Sequence, residues 1–459
     1  MSPTEHPGNP EEGQSSPGVL ADALDTDTEH GLRTVTSGAP QVDGRPGGER
    51  VVLVRVWSTG TAREVESSLA ELAALAETAG ATVVHSVTQR RAAPDPATYI
   101  GSGKVSELAD VVESLDADTI VCDGELSTAQ LARLSEIVDA KVIDRTALIL
   151  DIFAQRATTK EGKAQVELAQ MRYMLPRLRG WGKSLSRQAG GGLAARGPGE
   201  TKLEMDRRRL RDNMAKVQKE IEQLQSARAL RRRHRDRSSV PKVALAGYTN
   251  AGKSSLLNRI TGSEVLVRNA LFATLDPTVR RVETGKGPDF TLSDTVGFVR
   301  QLPHHLVDAF RSTLEEVTEA DLILHVADGS HPDPLDQIRT VREVIADIGG
   351  ARVPELLVLN KADAASEGTL ADLLEAEPGA VVVSARTGEG VDGLLDRVVK
   401  ELSAAAPEIE VLVPYSEGGL LSRIHDEGAV LAEEHKEEGT RVTARVNSSL
   451  LTALEPYRA

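Results

Sequence analysis

The chain has 459 residues, 40% of them apolar and only 3% aromatic, so it is long enough for several domains with aliphatic cores. The chain has one cysteine, Cys122, so it can form neither an intrachain disulfide nor a cysteine-based metal site. A low cysteine content is typical of proteins in reducing compartments. The formal net charge of −15 argues against general nucleic-acid binding, and no apolar run reaches the ~18 residues of a membrane span. We expect a cytoplasmic protein without membrane insertion.

Positive charge is concentrated in one segment. Residues 151–240 contain 22 Lys and Arg against 10 Asp and Glu, so this segment is basic although the whole chain is acidic. A basic block inside an acidic protein is typical of a localised contact with a polyanion. A solvated helix face is the alternative explanation, because most runs of charge have no specific partner.

The first part of the chain predicts a disordered tail followed by an α/β domain. Residues 1–48 are rich in Pro, Gly, Ser, Thr and acidic residues. From 49 to 155, strand and helix patterns alternate, which predicts a largely parallel sheet. The predicted strands are 51–57, 82–87, 119–122 and 141–143, and the predicted helices are 65–76, 104–115 and 127–138.

A short glycine motif lies inside this predicted domain. The sequence IGSGK at 100–104 is interpreted as a turn that leads into the helix 104–115. A second nucleotide site is the alternative. The segment lacks the phosphate-loop spacing, however, and Val105 stands where a Mg²⁺-binding hydroxyl is needed.

Residues 156–237 predict an antiparallel helical hairpin with a glycine-rich tip. The helical pattern of 159–178 is expected to stop near Pro176, because proline removes a backbone donor. The segment RQAGGGLAARGPGETKLE (187–204) lacks a GK[ST] sequence and follows a helix, so it is interpreted as the tip and not as a nucleotide loop. Heptad spacing predicts the second helix, through Leu203, Leu210, Met214, Val217, Ile221 and Leu224.

The sequence GYTNAGKS at 247–254 has the spacing of a phosphate loop, between a predicted strand at 243–246 and a predicted helix at 255–260. Backbone N–H groups of such a loop surround phosphates. Lys253 is expected to reach the terminal phosphates, and the Ser254 hydroxyl to bind Mg²⁺. The candidate nucleotide-binding residues of the loop are Gly247, Tyr248, Thr249, Asn250, Ala251, Gly252, Lys253 and Ser254.

Three further segments follow at predicted strand ends, in the order that a GTPase needs. Asp294 is expected to hold Mg²⁺ through water, and the Gly297 N–H to bind the γ-phosphate. A carboxylate in NKAD accepts from two guanine donors that adenine lacks. These segments supply Asp294, Thr295, Val296, Gly297, Asn360, Lys361, Asp363, Ser384 and Ala385. Because open α/β sheets bind ligands at the carboxyl ends of their strands, residues 240–403 predict a GTPase domain with a doubly wound, mostly parallel sheet.

The segment LFATLDPT (271–278) lies between the phosphate loop and DTVG, which is the place of a switch loop. Its candidate nucleotide-binding residues are Phe272, Ala273, Thr274, Leu275 and Asp276. Thr274 is the predicted threonine that closes over Mg²⁺ and the γ-phosphate. Thr278 is the rival, and an ordinary loop threonine is a third alternative. The predicted catalytic residues are thus Lys253, Thr274 and Gly297, and the predicted metal ligands are Ser254, Thr274 and Asp294.

With these motifs the chain resembles the HflX family of ribosome-binding GTPases, of the translation-factor class. The resemblance covers about residues 50 to 400 and includes YIGSGKVSEL, DRTALILDIF and GGGLAARGPGETKLEMDRR outside the GTPase motifs. It implies an N-terminal α/β domain, a helical hairpin, a GTPase domain and a small α+β C-terminal domain at 407–459. It also implies Mg²⁺-dependent GTP hydrolysis and binding to the ribosome, chiefly to the large subunit and its rRNA. Splitting or rescue of stalled ribosomes under stress is the implied role, and we expect a monomer.

Two positions bear on the mechanism. Phe298 stands where many GTPases have a glutamine that orients the attacking water, which predicts slow intrinsic hydrolysis and stimulation by the ribosome. Asn250 resembles the asparagine of GTPases activated by a monovalent cation, so K⁺ is a candidate cofactor. An asparagine that only shapes the turn is the alternative.

The basic hairpin is the candidate RNA contact, through phosphates and shape rather than base sequence. The candidate residues are Arg187, Gly191, Arg196, Gly199, Lys202, Arg207, Arg208 and Arg209.

Two other functions stay open at this point. An RNA-remodelling or ribosome-assembly factor would use its N-terminal region for ATP-driven work and its GTPase domain for regulation. An RNA-modifying GTPase would need a catalytic cysteine, and Cys122 lies in an apolar strand far from the GTPase motifs.

Overall fold

The computed structural model describes residues 48–188, 198–236, 240–262, 271–275, 278–284, 288–300, 311–446 and 448–458. The predicted N-terminal tail and the central part of the glycine-rich tip lie outside these residues. The described chain contains three sheets and a long helical hairpin. The α/β fold class predicted from the sequence is confirmed.

The first sheet is parallel and has the strand order β2-β1-β3-β4. Its strands are β1 (Arg50–Trp57), β2 (Thr82–Arg90), β3 (Thr119–Cys122) and β4 (Lys141–Asp144). The helices between them are α1 (Ala62–Thr78), α2 (Ser102–Ser114) and α3 (Thr128–Val138). The predicted elements of this region are all present, with their ends displaced by a few residues.

The IGSGK motif forms the start of α2. Gly101 is the N-cap of this helix, and its N–H donates to Gln89 Oε1 at 2.8 Å. The motif therefore forms a turn that leads into a helix, as its first interpretation requires.

A further helix, α4 (Arg145–Arg156), follows β4 directly. The Asp144 carboxylate accepts from the Ala147 N–H at 2.9 Å and so caps the first turn. The helix buries Ile149, Ile152 and Phe153 almost completely. The sequence alone predicts no element here, because an unbroken apolar run fits a buried strand and a buried helix equally well.

The predicted hairpin consists of α5 (Lys160–Gln188) and α6 (Pro198–Asp236). The predicted stop near Pro176 is wrong, because α5 continues through this proline to Gln188. Arg177 holds the turn in place. Its guanidinium lies 3.5 Å from the centroid of the Tyr173 ring, donates to the Tyr173 carbonyl at 2.9 Å and to Asp144 at 3.0 Å.

Apolar residues at heptad spacing join the two helices of the hairpin. Met214, Val217 and Ile221 of α6 pack against Ala164 and Leu168 of α5. The predicted seam is therefore the contact surface between the helices over this length.

The second sheet has six strands in the order β10-β9-β8-β5-β7-β6. They are β5 (Lys242–Gly247), β6 (Thr278–Val282), β7 (Phe290–Asp294), β8 (Leu322–Asp328), β9 (Glu355–Asn360) and β10 (Val381–Val382). All pair in parallel except β6, which is antiparallel to β7 at one edge. The surrounding helices are α7 (Lys253–Thr261), α8 (Arg311–Thr318), α9 (Pro334–Asp347), α10 (Glu367–Ala376) and α11 (Val391–Ala405).

The third sheet is antiparallel and small, with the order β11-β13-β12. Its strands are β11 (Glu408–Val413), β12 (Ala429–Lys436) and β13 (Gly439–Arg445), and α12 (Gly418–Glu427) and α13 (Ser448–Leu454) cover it. Val411, Ile424, Val442 and Leu450 are fully buried between them. This arrangement agrees with the expected α+β C-terminal unit.

Candidate nucleotide-binding site

The predicted phosphate loop connects the carboxyl end of β5 to the first turn of α7. Two glycines in it are required by their surroundings. Gly247 has φ +153° and any side chain there would collide with the Val326 carbonyl, while Gly252 has φ +93° and lies against the Asn360 amide. The loop therefore places the free N–H groups of the helix N-terminus at the end of the central strand, where they attract anions.

Lys253 is 6% exposed and lies inside the loop. Its Nζ donates to the carbonyls of Gly247 at 3.0 Å and Tyr248 at 2.9 Å. Burial lowers the pKa of Lys253 to about 8, and the neighbouring Asp294 charge opposes this shift. The ammonium group is thus held by backbone carbonyls at a point where an anionic ligand would stabilise its charge.

Three oxygen-bearing side chains meet beside the loop. Asp294 Oδ2 accepts from Ser254 Oγ at 2.6 Å and from Thr274 Oγ1 at 3.0 Å, and the two hydroxyl oxygens are 2.9 Å apart. Asp294 Oδ1 is buried without a hydrogen-bond partner among the described residues. Burial raises the pKa of Asp294, opposed by Lys253. A carboxylate and two hydroxyls are the hard oxygen donors that suit Mg²⁺, so the residues fit this ion.

The structure separates the two candidate threonines of the switch loop. Thr274 contacts both Ser254 and Asp294, as a closing threonine should. Thr278 begins β6 and pairs with Asp294 through the backbone ladder. The geometry favours Thr274 over its rival.

The DTVG segment passes directly beneath the loop. The Thr295 hydroxyl donates to the Leu245 carbonyl at 2.6 Å, which ties the segment to β5. A methyl group built on Gly297 would lie 2.7 Å from Thr249 Cγ2 and 3.0 Å from Lys253 Nζ. Only a residue without a side chain fits there, so the Gly297 backbone reaches the same point as Lys253.

The predicted base-recognition residues lie next to one another. Asn360 Nδ2 donates to the Ala251 carbonyl at 2.8 Å, and its Oδ1 accepts from the Ala385 N–H at 3.0 Å. Asp363 Oδ1 accepts from Ser384 Oγ at 2.5 Å. Lys361 Nζ pairs with Asp328 Oδ2 at 2.6 Å. Asn360 thus joins the phosphate loop to the two segments expected to contact guanine.

A cleft opens between the phosphate loop, the switch loop and DTVG. Its lining consists of Thr249, Asn250, Gly252, Lys253, Ser254, Ser255, Phe272, Ala273, Thr274, Thr295 and Gly297. Ser255 also lines the cleft and is not among the residues predicted from the sequence, although its place in the first turn of α7 indicates it. Tyr248, Ala251, Leu275 and Val296 were predicted ligands and are buried beside the cleft instead of lining it. Asp276 lies outside the described residues.

Phe272 of the cleft lining and Tyr248, which is buried beside the cleft, contact helices that pack on the first sheet. The Tyr248 hydroxyl donates to Glu71 of α1 and accepts from the Arg300 N–H at 2.6 Å. The Phe272 ring meets Phe153 of α4 edge to face, with ring centroids 4.6 Å apart. No sequence signal indicated this contact, because nothing in the chain's periodicity relates residues so far apart.

The candidate RNA-contact residues of the hairpin differ in exposure. Arg208 and Arg209 are exposed, whereas the Arg207 side chain is 14% exposed and pairs with Glu204 at 3.7 Å. Gly199 lies in the first turn of α6. Gly191 and Arg196 lie outside the described residues, and only the backbone is described for Arg187 and Lys202.

The glycine loop on the central strand, the buried lysine, the oxygen cluster and the paired NKAD and SA segments define a P-loop GTPase. Four sequence families match successive parts of the chain. They are described as GTP-binding GTPase N-terminal (residues 66–154), GTP-binding GTPase Middle Region (156–235), 50S ribosome-binding GTPase (242–361) and HflX C-terminal domain (370–455). The chain belongs to the HflX family of GTPases, and it binds and hydrolyses GTP.

Curated relatives agree with this family over most of the chain. A GTPase HflX of Lacrimispora saccharolytica is 47% identical over 88% of this chain and 95% of its own length. A GTPase HflX of Escherichia coli is 42% identical over 86% of this chain and 92% of its own length. Among solved structures, a GTP-binding protein of Sulfolobus solfataricus in complex with GDP is 23% identical, covers 78% of this chain and 100% of that one, and has a TM-score of 0.42.

None of the helices in the described part of the chain combines the length and the apolar character needed to cross a bilayer.

Proposed function

We propose that this protein is a Mg²⁺-dependent GTPase that binds the ribosome, chiefly the large subunit and its rRNA, and that splits or rescues stalled ribosomes under stress. The observation that carries the proposal is the match of residues 242–361 to a family described as 50S ribosome-binding GTPase, within a chain that also has a long basic hairpin. GTP would set the affinity, and hydrolysis would time the release.

The hairpin supports the RNA contact physically. Arg208 and Arg209 are exposed on α6 and lie outside the heptad seam that packs against α5. Exposed arginines bind phosphates by their charge and their paired donors, and they release counterions when they do so. The Arg207 side chain is only 14% exposed and pairs with Glu204, so it contributes less to such a contact.

Residues of the cleft would perform the hydrolysis. Lys253 and the backbone N–H of Gly297 would hold the terminal phosphate, while Ser254, Thr274 and Asp294 would hold Mg²⁺. The ion would neutralise charge that develops on the phosphates. Phe298 supplies no polar side-chain group, so we expect a slow intrinsic rate and stimulation by the ribosome.

The role of K⁺ stays a prediction. Asn250 is exposed and has φ +60°, a conformation that asparagine tolerates well, so the turn alone explains its presence. Its place on the rim of the cleft is also compatible with a monovalent cation beside the phosphates.

Co-sedimentation with ribosomes tests the proposal. A non-hydrolysable GTP analogue should promote pelleting with large subunits, GDP should weaken it, and large subunits should raise the GTPase rate in K⁺ or Na⁺ buffer. Pelleting that is equal in both nucleotide states, with an unchanged rate, would refute the proposal.

Replacing Arg208 and Arg209 by Ala should weaken binding and reduce the slope of affinity against salt by about 1 to 2, because each lost phosphate contact removes about 0.7 to 0.9. The matched control replaces two exposed arginines elsewhere, Arg133 and Arg458. The control should leave the slope unchanged. Equal effects of the two double variants would show that total charge, and not the hairpin, determines binding.

A further inference from the structure

The segment that follows DTVG runs beside the phosphate loop and is hydrogen-bonded to it. The Phe298 N–H donates to the Gly247 carbonyl at 3.1 Å, and the Phe298 carbonyl accepts from the Thr249 N–H at 2.7 Å. Both bonds are made by the backbone, so they need no particular side chain at position 298. The phosphate loop and the segment that begins with Gly297 therefore form one hydrogen-bonded unit.

The next bond between the two segments depends on a side chain. The Tyr248 hydroxyl accepts from the Arg300 N–H at 2.6 Å and donates to Glu71 of α1. Tyr248 is 3% exposed, and burial raises the pKa of Tyr248 to about 12, so the hydroxyl keeps the proton that it donates. This hydroxyl thus joins the phosphate loop, the backbone after DTVG and a helix of the first domain.

The carboxylate that receives the tyrosine proton is itself held in place. One oxygen of Glu71 accepts from Tyr248, and the other pairs with Arg145 at the start of α4. Arg145 is buried and also donates to the buried Asp123 at 2.9 Å. Rotation of Glu71 away from these partners would leave buried polar groups unpaired, which is costly. Glu71 is therefore a fixed anchor for the Tyr248 hydroxyl.

This anchor lies next to the groups that are expected to hold the γ-phosphate. The Tyr248 carbonyl accepts from Lys253 Nζ at 2.9 Å, and Arg300 follows Gly297 by three residues. A γ-phosphate between Lys253 and the Gly297 N–H would hold the phosphate loop and the DTVG segment in this arrangement. GDP lacks that phosphate and holds only the loop. A contact that favours this arrangement therefore favours GTP over GDP.

We propose that Glu71 and Tyr248 are positioning residues of the GTPase site. Glu71 holds the Tyr248 hydroxyl, this hydroxyl holds the backbone of Arg300, and the first domain thereby stabilises the form of the cleft that binds GTP. By linkage, displacement of α1 from the phosphate loop lowers the preference for GTP, and bound GTP strengthens the contact with α1 by the same factor. The inference rests on GTP binding and on the expected contact of Gly297 with the γ-phosphate, and not on ribosome binding.

Three variants and one control test the proposal without ribosomes. Tyr248→Phe removes only the hydroxyl, Glu71→Gln removes the charge that receives its proton, and the third variant combines the two changes. Tyr99→Phe is the matched control, because it removes another buried tyrosine hydroxyl, which donates to the Asp123 carbonyl at 3.1 Å within the first domain. Affinities for GDP and for a non-hydrolysable GTP analogue are measured, together with hydrogen exchange of the amides of 297–300 without nucleotide.

Tyr248→Phe should weaken binding of the GTP analogue about 5- to 10-fold, in the range of one lost hydrogen bond, and binding of GDP at most about 2-fold. Exchange of the Arg300 amide should become about 5-fold faster or more. Glu71→Gln should change the ratio of the two affinities in the same direction. The double variant should be no worse than the stronger single variant, because both changes act through one hydroxyl. Tyr99→Phe should leave the ratio and the exchange unchanged.

A merely structural role would lower the melting temperature without changing the ratio of the two affinities, because both nucleotides bind the folded protein. An unchanged ratio in Tyr248→Phe, or an equal loss for both nucleotides, would overturn the proposal. Additive effects in the double variant would overturn the route from Glu71 through Tyr248. If Glu71→Gln does not fold, Glu71→Asp gives the same cycle, since it keeps the charge opposite Arg145 and withdraws the carboxylate. A failure of ribosome co-sedimentation would leave these affinities as they are.

Discussion

Asp363 shows how a single side chain is prepared for its ligand. Its carboxylate accepts from Ser384 and pairs with Arg386 at 2.5 Å. The hydrogen bond from Ser384 and the charge of Arg386 hold the pKa of Asp363 below its usual value, against the effect of burial. The group is therefore ionised at neutral pH, as an acceptor for two guanine donors must be.

Asp363→Asn should change the preferred base from guanine to xanthine. An amide presents one donor and one acceptor, which match the ring N–H and the carbonyl of xanthine but not the two donors of guanine. We expect GTP affinity to fall about 100-fold and xanthosine triphosphate affinity to rise, as charge-assisted hydrogen bonds are lost. Titration with fluorescent nucleotides measures both. The control Asp372→Asn makes the same change of charge at an exposed position of α10 and should alter neither nucleotide affinity. If Asp363→Asn still preferred GTP, the base would have to bind elsewhere.

At the scale of elements, one ionic cluster joins α9 and α10 to the second sheet. Glu355 at the start of β9 accepts from Arg342 of α9 at 3.0 Å and contacts His325 of β8 at 3.1 Å. Arg342 also pairs with Glu377, after the end of α10, at 2.6 Å. Burial opposes ionisation of Glu355, but its hydrogen bonds to His325 and Arg342 outweigh this and lower its pKa to about 2. The contact of Arg342 with β9 is therefore strongest while the Glu355 carboxylate is ionised.

Glu355→Gln should lower the free energy of unfolding at pH 7 by about 2 kcal/mol. The folded pKa lies below the unfolded value of about 4.3, so the stabilisation is complete above that pH and is lost as pH falls towards about 2. The difference between wild type and variant should thus shrink between pH 5 and pH 3. Hydrogen exchange of the β8 and β9 amides at each pH measures this difference in the free energy of unfolding. Glu401→Gln removes a more exposed pair with Arg397 and should have little effect at any pH. A stability difference between wild type and Glu355→Gln that does not change with pH would contradict the lowered pKa of Glu355.

At the scale of the whole molecule, the first sheet and its helices pack directly on the nucleotide cleft. Phe153 of α4 meets Phe272 of the switch loop, and the Thr78 hydroxyl of α1 accepts from the Leu271 N–H at 3.2 Å. Glu71 of α1 contacts both Tyr248 of the phosphate loop and Arg145 of α4. The switch loop is therefore supported from outside the GTPase sheet.

Phe153→Ala should loosen the switch loop. Both rings are at most 2% exposed, and deletion of a buried phenyl ring costs about 3–5 kcal/mol. We expect faster hydrogen exchange of residues 271–275 and a lower melting temperature. Phe153→Leu, which keeps most of the apolar contact, should show a much smaller change. Unchanged exchange at 271–275 in Phe153→Ala would mean that this contact does not support the loop.

Much of the protein could be predicted because its signals are local. A phosphate loop needs glycines and a lysine at fixed spacing, and the GTPase motifs follow strands whose apolar runs are visible. The heptad pattern of α6 predicted the surface that packs on α5 in the same way, since Met214, Val217 and Ile221 recur at helical spacing. Steric and periodic constraints within a few residues therefore determined the class of the fold and most of the cleft.

Only the tertiary structure decided the features that depend on distant residues. Helix α5 continues past Pro176, and the next residue, Arg177, pairs with Asp144, which is distant along the chain. Phe272 packs on Phe153 of α4, and the Tyr248 hydroxyl donates to Glu71 of α1. Thr249 and Phe298 come from different strand ends and pair through their backbones, because the Thr249 N–H donates to the Phe298 carbonyl at 2.7 Å. Burial and pairing between remote segments carry no periodic signal, so the sequence by itself determined the chemistry of the site and the tertiary structure decided how its residues are held together.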